Sequence, residues 1–330
     1  MNTKYIDLIN QTFDFPQEEF EVDANKNLHF HGIDTMKLAE EFGTPLKFTY
    51  LPKISSNIQN AKGMFERAMK KHKYKAKYHY CYCTKSSHFK HVLDEALKND
   101  IHIETSSAFD IDIIENLKKE GSITDKTYVI CNGFKREEYV SKIQNLIING
   151  HKNCIPIIDN YEEIGLLTEG LRKKINIGIR IASEEEPKFE FYTSRLGIGY
   201  KNIVDFYRRE VKENSKVSLK MLHFFINTGI KDNAYYWNEL SKCLKVYISL
   251  KRICPSLDSL NIGGGFPIKN SLGFNYDYEY MIDEIICQIK EACDDAEVEV
   301  PHIFTEFGSY TVGESGGAIY KVLNKKKQND

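Results

Sequence analysis

Charge of one sign is what this 330-residue sequence most clearly lacks: 45 lysines and arginines stand against 47 acidic residues, a formal net charge of -2. A nucleic-acid footprint normally needs a basic excess or patch, so no nucleic-acid partner is expected. The cluster Lys325-Lys326-Lys327 reads as a solvated end. Long apolar runs are missing too. No stretch reaches the roughly 20 apolar residues that cross a bilayer, so no membrane partner is expected. Met1-Asn-Thr-Lys-Tyr-Ile-Asp7 offers no basic stretch leading into an apolar one, so no secretion signal is expected either. The cysteines, at 81, 83, 131, 154, 243, 254, 287 and 293, are scattered. A chain of this length builds a core without disulfides, and the simple reading is a reduced, cytoplasmic protein. Cys81 and Cys83 have no second pair at metal-site spacing, so no metal is expected. No Gly/Ser/Pro-rich linker or short repeat divides the chain.

What is present is an alternation of short apolar runs with longer amphipathic segments. Strands are expected at 78–83, 102–105, 128–131, 154–158, 175–181, 219–225, 258–262 and 302–305. Helical spacing is expected at 57–70, 88–97, 140–148, 161–171, 234–250 and 277–292. Eight buried-looking strands separated by helices call for a parallel sheet covered on both faces. Eight units over roughly 250 residues fit a closed (β/α)8 barrel, an α/β fold. The competing arrangement is an open doubly wound sheet. Residues 1–45 differ: Phe13-Asp-Phe-Pro16 is turn-rich, and Leu28-His-Phe-His-Gly32 reads as a short strand and turn.

In such barrels chemistry sits where strands end. The first strand ends at Lys85, the second in Glu104-Thr-Ser-Ser107 with Asp110 at the start of a helix. The third ends in Cys131-Asn-Gly133 and the fourth in Asp159; the fifth carries Arg180. The sixth carries His223 and Phe225, then Asn227-Thr-Gly229; the seventh runs into Gly263-Gly-Gly265, and the eighth ends in Glu306-Phe-Gly308. Alternation puts His79, Cys81, Cys83 and Lys85 inside and Tyr78, Tyr80 and Tyr82 against helices. There, desolvation would lower the Lys85 amine's pKa and favour Schiff-base chemistry; otherwise Lys85 is a surface lysine just past a strand. The glycine run either lets backbone amides approach a phosphate or is a permissive turn. It is not G-x-G-x-x-G with a following acidic residue, nor a Walker loop, which argues against a nicotinamide dehydrogenase. Glu306 either holds a proton on a pyridine nitrogen or pairs with a local amide or arginine. Arg180 has a similar choice between an anion and a structural ion pair, and His223 reads as a hydrogen-bonded core histidine. Thr193-Ser-Arg195 adds a basic loop residue, and Ser183-Glu-Glu-Glu-Pro187 is most simply a solvated acidic loop.

Three long motifs stand in order: Tyr80-Cys-Tyr-Cys-Thr-Lys85-Ser-Ser-His88, Leu260-Asn-Ile-Gly263-Gly-Gly-Phe-Pro267 and Thr305-Glu306-Phe-Gly-Ser-Tyr310. Together they resemble the alanine-racemase-type (fold type III) pyridoxal-phosphate decarboxylases, over residues 45–330, nearest the bacterial biosynthetic arginine and diaminopimelate decarboxylase branch. The resemblance implies a pyridoxal 5'-phosphate cofactor, with Lys85 as the Schiff-base lysine. It implies acidic residues at the cofactor mouth (Glu104, Asp110), an arginine beside the ring (Arg180), a hydroxyl on the phosphate (Thr228) and a phosphate loop (Gly263, Gly264, Gly265). Glu306 then partners the pyridine nitrogen.

Two departures stand out. The family's stacking histidine is replaced by Phe225, which can stack but cannot exchange protons. Its Glu-Pro-Gly-Arg motif becomes Glu306-Phe-Gly-Ser309, so the arginine contact to phosphate passes to Ser309 or Tyr310. The resemblance further implies a β domain, begun by residues 1–45 and resumed at 310–330, around a barrel at 46–309. The family's cysteine–aspartate segment and tyrosine do not occur before Asp330, so this chain is expected to be part of a longer one. The implied reaction is decarboxylation of a basic L-amino acid by a homodimer. L-arginine to agmatine for polyamine synthesis comes first, meso-diaminopimelate or a carboxylated polyamine precursor second. A noncatalytic pyridoxal-phosphate-binding protein is the further alternative.

Overall fold

The computed structural model describes residues 19–183, 196–226, 230, 233–268 and 276–326. Three short antiparallel strands come first: β1 (Phe20–Val22), β2 (Leu28–Phe30) and β3 (Ile33–Asp34). Asp34 caps helix α1 (Thr35–Phe42) by accepting from the Met36 and Lys37 amides, which lack partners in the first turn. Strand β4 (Leu46–Thr49) leads into α2 (Leu51–Lys71), whose proline lies in the first turn, where no intrahelical N–H is lost.

From there strand and helix alternate. The order is β5 (Tyr78–Cys83), α3 (Lys90–Leu97), β6 (His102–Thr105), α4 (Ala108–Lys119), β7 (Val129–Cys131), α5 (Glu137–Ile148), β8 (Cys154–Ile158), α6 (Glu163–Thr168) and β9 (Ile175–Ala182). Then come β10 (Ile198–Gly199), α7 (Ile203–Phe206) running into a π turn at Tyr207–Val211, β11 (Val217–Phe224), α8 (Asn233–Lys251), β12 (Ser259–Asn261), α9 (Tyr278–Asp295) and β13 (His302–Phe307). Finally, α10 (Ser309–Val312) leads to β14 (Gly316–Ile319), which pairs antiparallel with β4.

The strands β5 to β9 and β11 to β13, leaving out the short β10, are parallel. β13 pairs with β5 and β8 with β9, so the eight close into a barrel. Closure rules out the open sheet, which would leave two edges unpaired. All eight expected strands are present; helices α4 and α7 fill the two crossovers that periodicity left without a full helix.

Inside the barrel, Cys81, Ile130, Ile155, Ile157, Met221 and Phe304 form one apolar layer, while Tyr80 and Tyr82 pack outward against the helices. The alternation read from the sequence therefore holds, since successive strand side chains face opposite sides. Tyr78 stacks on Phe65 of α2 with centroids 4.1 Å apart. A Cβ on Gly178 would sit 2.4 Å from Ile157 Cδ1, so this glycine makes room for the isoleucine in the barrel. At the N-terminal end His79 stacks on Phe304 at 4.5 Å and shares a 2.9 Å hydrogen bond with His102. Among the described residues no helix is long and apolar enough to cross a membrane.

Candidate active site at the C-terminal mouth of the barrel

At or just past the ends of the barrel strands stands a ring of buried side chains: Cys83, Glu104, Asn132, Asp159, Arg180, His223, Asn261 and Glu306. Buried polar groups need partners; Glu104, Asn132, Asn261 and Glu306 find them in one another, while the Asp159 carboxylate oxygens and the His223 ring nitrogens make no hydrogen bond among the described residues. Asn132 Nδ2 donates to Glu104 Oε1 at 3.0 Å and to Glu306 Oε1 at 2.9 Å. Asn261 Nδ2 donates to the same Glu306 oxygen at 2.6 Å, and His223 Nε2 lies 3.4 Å from Glu306 Oε2. Arg180 Nε is 3.8 Å from Asp159 Oδ1, and its guanidinium carbon is 5.5 Å from the Phe225 ring centroid.

Lys85 lies in a 3-10 turn, Thr84–Ser86, directly after β5. Its Nζ is 3.7 Å from Glu104 Oε2, and its side chain is 57% exposed against 0% for Glu104. An amine at the surface thus faces a carboxylate in the interior. The expectation of a lowered amine pKa is corrected here. Burial is the largest single pull on Lys85 and works downward, but Glu104, Cys83 and Glu306 together outweigh it, and the net direction is up.

The two carboxylates are driven apart in proton affinity. Burial raises Glu104, and the negative charge of Glu306 raises it further against the pull of Lys85. Burial also works to raise Glu306, but His223, then the Asn132 amide and Lys85, overcome it and hold the carboxyl well below the usual range. Glu306 is therefore the charged member, and Glu104 the one with proton affinity to spare.

Close backbone approach at the mouth depends on glycine. Gly263 has φ +68° and Gly265 φ +89°, conformations that favour glycine. A Cβ on Gly264 would lie 2.2 Å from the Glu306 carbonyl oxygen, and one on Gly308 2.0 Å from Ser86 Oγ. The loops after β12 and β13 are thereby drawn against the turn that carries Lys85. Lys85, Phe225, Gly265, Glu306, Ser309 and Tyr310 all line a cleft of about 200 Å³. Tyr310 and the neighbouring Thr311 are pinned from behind. Asn57 Nδ2 donates to the Tyr310 and Thr311 carbonyls at 3.2 and 3.3 Å, and Tyr80 Oη meets Thr311 Oγ1 at 2.7 Å. Burial pushes the Tyr310 phenol up to about 12, with Glu314 adding to it.

Asp110 stands apart from this cleft. It accepts from the Ser106 amide and from Ser107 Oγ, both at 2.9 Å, and so fastens the loop after β6. Thr228, Arg195 and the acidic stretch 184–187 lie outside the described residues. Asn132 and Asn261 carried no role in the sequence, where Asn132 stands before Gly133 just past an expected strand and Asn261 falls inside the expected strand 258–262. Their strand-end position, shared with Glu306, was the available signal. A buried pair was also missed: Lys135 Nζ lies 3.6 Å from Glu163 Oε2, and Glu163 accepts from the Asp159 amide at 2.9 Å, tying together the loops after β7 and β8. A larger hollow, about 520 Å³, lies at the opposite end near His302 and Asp258, away from the strand ends that carry the ring.

The residues present suit pyridoxal phosphate: an accessible amine, a carboxylate held ionised, and glycines that a side chain would block. Residues 59–313 match the family described as the pyridoxal-binding domain of pyridoxal-dependent decarboxylases. The chain belongs to the pyridoxal-dependent decarboxylase family. Its cofactor is pyridoxal 5'-phosphate, and Lys85, Glu104, Arg180, Gly263 to Gly265 and Glu306 all fall within the matched span.

Similar to it is the biosynthetic arginine decarboxylase of Prochlorococcus marinus (strain MIT 9215), 24% identical over 318 residues, covering 88% of this chain and 48% of that one. The corresponding protein of Geobacter sp. (strain M21) is 23% identical over 304 residues, 86% of this chain and 47% of that one. The chain spans about half the length of these curated relatives. Among solved structures, diaminopimelate decarboxylase from M. jannaschii superposes with a TM-score of 0.81 at 20% identity, over 95% of this chain and 71% of that one. The biosynthetic arginine decarboxylase of Campylobacter jejuni gives 0.73 at 20% identity, over 91% and 52%. These two share the fold of this decarboxylase-family chain.

Proposed function

We propose that this chain is the cofactor-binding part of a pyridoxal-phosphate-dependent carboxy-lyase acting on a basic L-amino acid, with L-arginine, converted to agmatine for polyamine synthesis, as the first substrate. The observation that carries the reading is one cleft holding Lys85 at its surface, with an ionised Glu306 and a proton-accepting Glu104 beneath. The arginine assignment is supported by the names of the curated relatives.

In this reading Lys85 would be the residue that holds the cofactor, through its side-chain amine. To do so it must first lose a proton, and Glu104 Oε2, 3.7 Å away, is the nearest carboxylate oxygen to take it. Glu306 keeps a proton on the pyridine nitrogen, its own negative charge secured by His223, Asn132 and Asn261. The backbone of Gly263, Gly264 and Gly265 holds the phosphate, with Thr228, Ser309 and Tyr310 contributing hydroxyls. Phe225 and Arg180 cover the ring and exclude water, and Asp110 acts by holding the loop beside Glu104. When bound, pyridoxal phosphate supplies an electron sink for the pair left behind by carbon dioxide.

The small sheets made by β1 to β3 and by β4 with β14 are proposed as parts of a β domain, and the working protein as a cytoplasmic homodimer. Exposed Phe89, Phe109, Phe134 and Tyr161 support a covered surface. They lie in or beside the loops that follow four adjacent strands, β5 to β8, around the mouth. The eight free cysteines support a reducing compartment.

Carbon dioxide release by full-length protein, from arginine, ornithine, lysine and meso-diaminopimelate, tests the substrate. Arginine is expected to be fastest. Preference for diaminopimelate replaces the first substrate with the second, and cofactor binding without release from any of the four sinks the catalytic reading.

A further inference from the structure

Asn261, the last residue of β12, uses both ends of its side-chain amide. Nδ2 donates to Glu306 Oε1 at 2.6 Å, while Oδ1 accepts from the Gly263 backbone N–H at 2.9 Å. The Glu306 backbone N–H in turn donates to the Gly263 carbonyl at 2.8 Å. These three bonds close a ring joining the first glycine of the loop to the carboxylate at the end of β13. Asn261 is fully buried, so the bonds form away from water, where a lost partner is costly. Gly263 has φ +68°, and a Cβ there would meet Phe225 Cδ2 at 2.8 Å, so the loop has little freedom to re-form around a changed neighbour.

We propose that Asn261 is a positioning residue that couples the glycine loop to Glu306, so that the site's hold on the cofactor's phosphate and on its ring nitrogen is set by one side chain. The proposal rests on Glu306 being the ring-nitrogen partner. Its physical basis is the two-ended amide. An aspartate of the same shape still accepts from Gly263, but when ionised it cannot donate to Glu306. It places a second negative charge beside Glu306 Oε1 instead. Asn132, just past β7, supplies the second donor to that oxygen but makes no hydrogen bond to the glycine loop among the described residues. Only Asn261 therefore spans the two among the described hydrogen bonds. The other groups that face Glu306 are His223 on β11, Lys85 after β5, Glu104 on β6, and Cys81 and Cys83 on β5; all remain in place when Asn261 alone is changed.

The test is a double-mutant cycle in full-length protein, with Asn261→Asp, Glu306→Gln and the pair, read by pyridoxal-phosphate titration and by the pH profile of the bound cofactor's visible absorbance. Asn261→Asp is expected to weaken binding by about tenfold or more and to move the acid limb of the profile to higher pH. In the Glu306→Gln background the same change is expected to add far less. Losses that simply multiply, or an Asn261→Asp profile identical to the parent's, overturn the coupling while leaving Glu306's role standing. An unchanged profile in Glu306→Gln alone instead removes the reading of Glu306, and the coupling with it. A thermal melt checks that each variant folds, and Asn261→Ala, which adds no charge, carries the affinity arm of the cycle if Asn261→Asp does not.

Discussion

Lys85 sits between opposing pulls: burial, the largest single one, favours its neutral form, while Glu104 at 3.7 Å, Cys83 and Glu306 favour the charged one and together win. Replacing Glu104 by glutamine removes the larger upward pull, so the amine should lose its proton at lower pH. The acid limb of cofactor capture, followed by visible absorbance against pH, is expected to shift downward. Because a proton acceptor is also lost, the maximal capture rate should fall. A limb that stays in place would show that Glu104 does not set the amine's affinity for protons. Lys85→Ala is expected to abolish the lysine-linked absorbance band while leaving the thermal melt near the parent's, since the side chain is more than half exposed. A persisting band would refute the assignment. Lys85 itself was legible through the motif that carries it. The sign of its shift was not, because the carboxylates, Glu104 and Glu306, lie 19 and 221 residues further along the chain.

The elements that deliver these residues can be perturbed without touching them. A methyl group on Gly264 would meet the Glu306 carbonyl oxygen at 2.2 Å, backbone against backbone, with no flexible side chain to move aside. Gly264→Ala is therefore expected to cost about 1–3 kcal/mol in denaturant unfolding, and to weaken cofactor affinity as the loop shifts. Wild-type values for both would show that the loop is not tightly held. Phe65 of α2 is fully buried and stacks on Tyr78 of β5. Phe65→Ala should lower unfolding free energy by about 3–5 kcal/mol, a loss below about 1 kcal/mol being incompatible with such packing. Strand positions were largely readable because buried parallel strands are short continuous apolar runs. The helix at Ala108–Lys119 was glimpsed only at its start, through Asp110.

At the scale of the whole molecule, the N-terminal end of the barrel makes a pH-dependent contribution to stability. Burial lowers His79 to about 3 and His102 to about 4, so both are held neutral in the fold, while unfolded histidine titrates near 6.5. Their contribution is thus fully present above about pH 6.5 and is lost as pH falls toward the folded values, where only the unfolded chain takes up protons. The melting temperature should drop as pH is lowered through this window, and His79→Gln with His102→Gln should flatten the drop. An equal slope in both proteins would place the acid sensitivity elsewhere. The exposed aromatics around the mouth make a second expectation at this scale. Full-length protein should run as a dimer in light scattering, and a charge at Phe109 or Phe134 should shift it toward monomer.

Strand and helix alternation, the inward or outward direction of each strand residue, and the order of the three motifs belong to the sequence alone, because they depend on local periodicity and spacing. From periodicity came the barrel; the assignments of Lys85, the glycine loop and Glu306 came from the resemblance that the three motifs carry. Closure of the sheet, the ring of polar side chains and the way it divides protons between Glu104 and Glu306 were decided only by tertiary structure. Those features depend on which distant strand ends meet inside the barrel, and on how little water reaches them there.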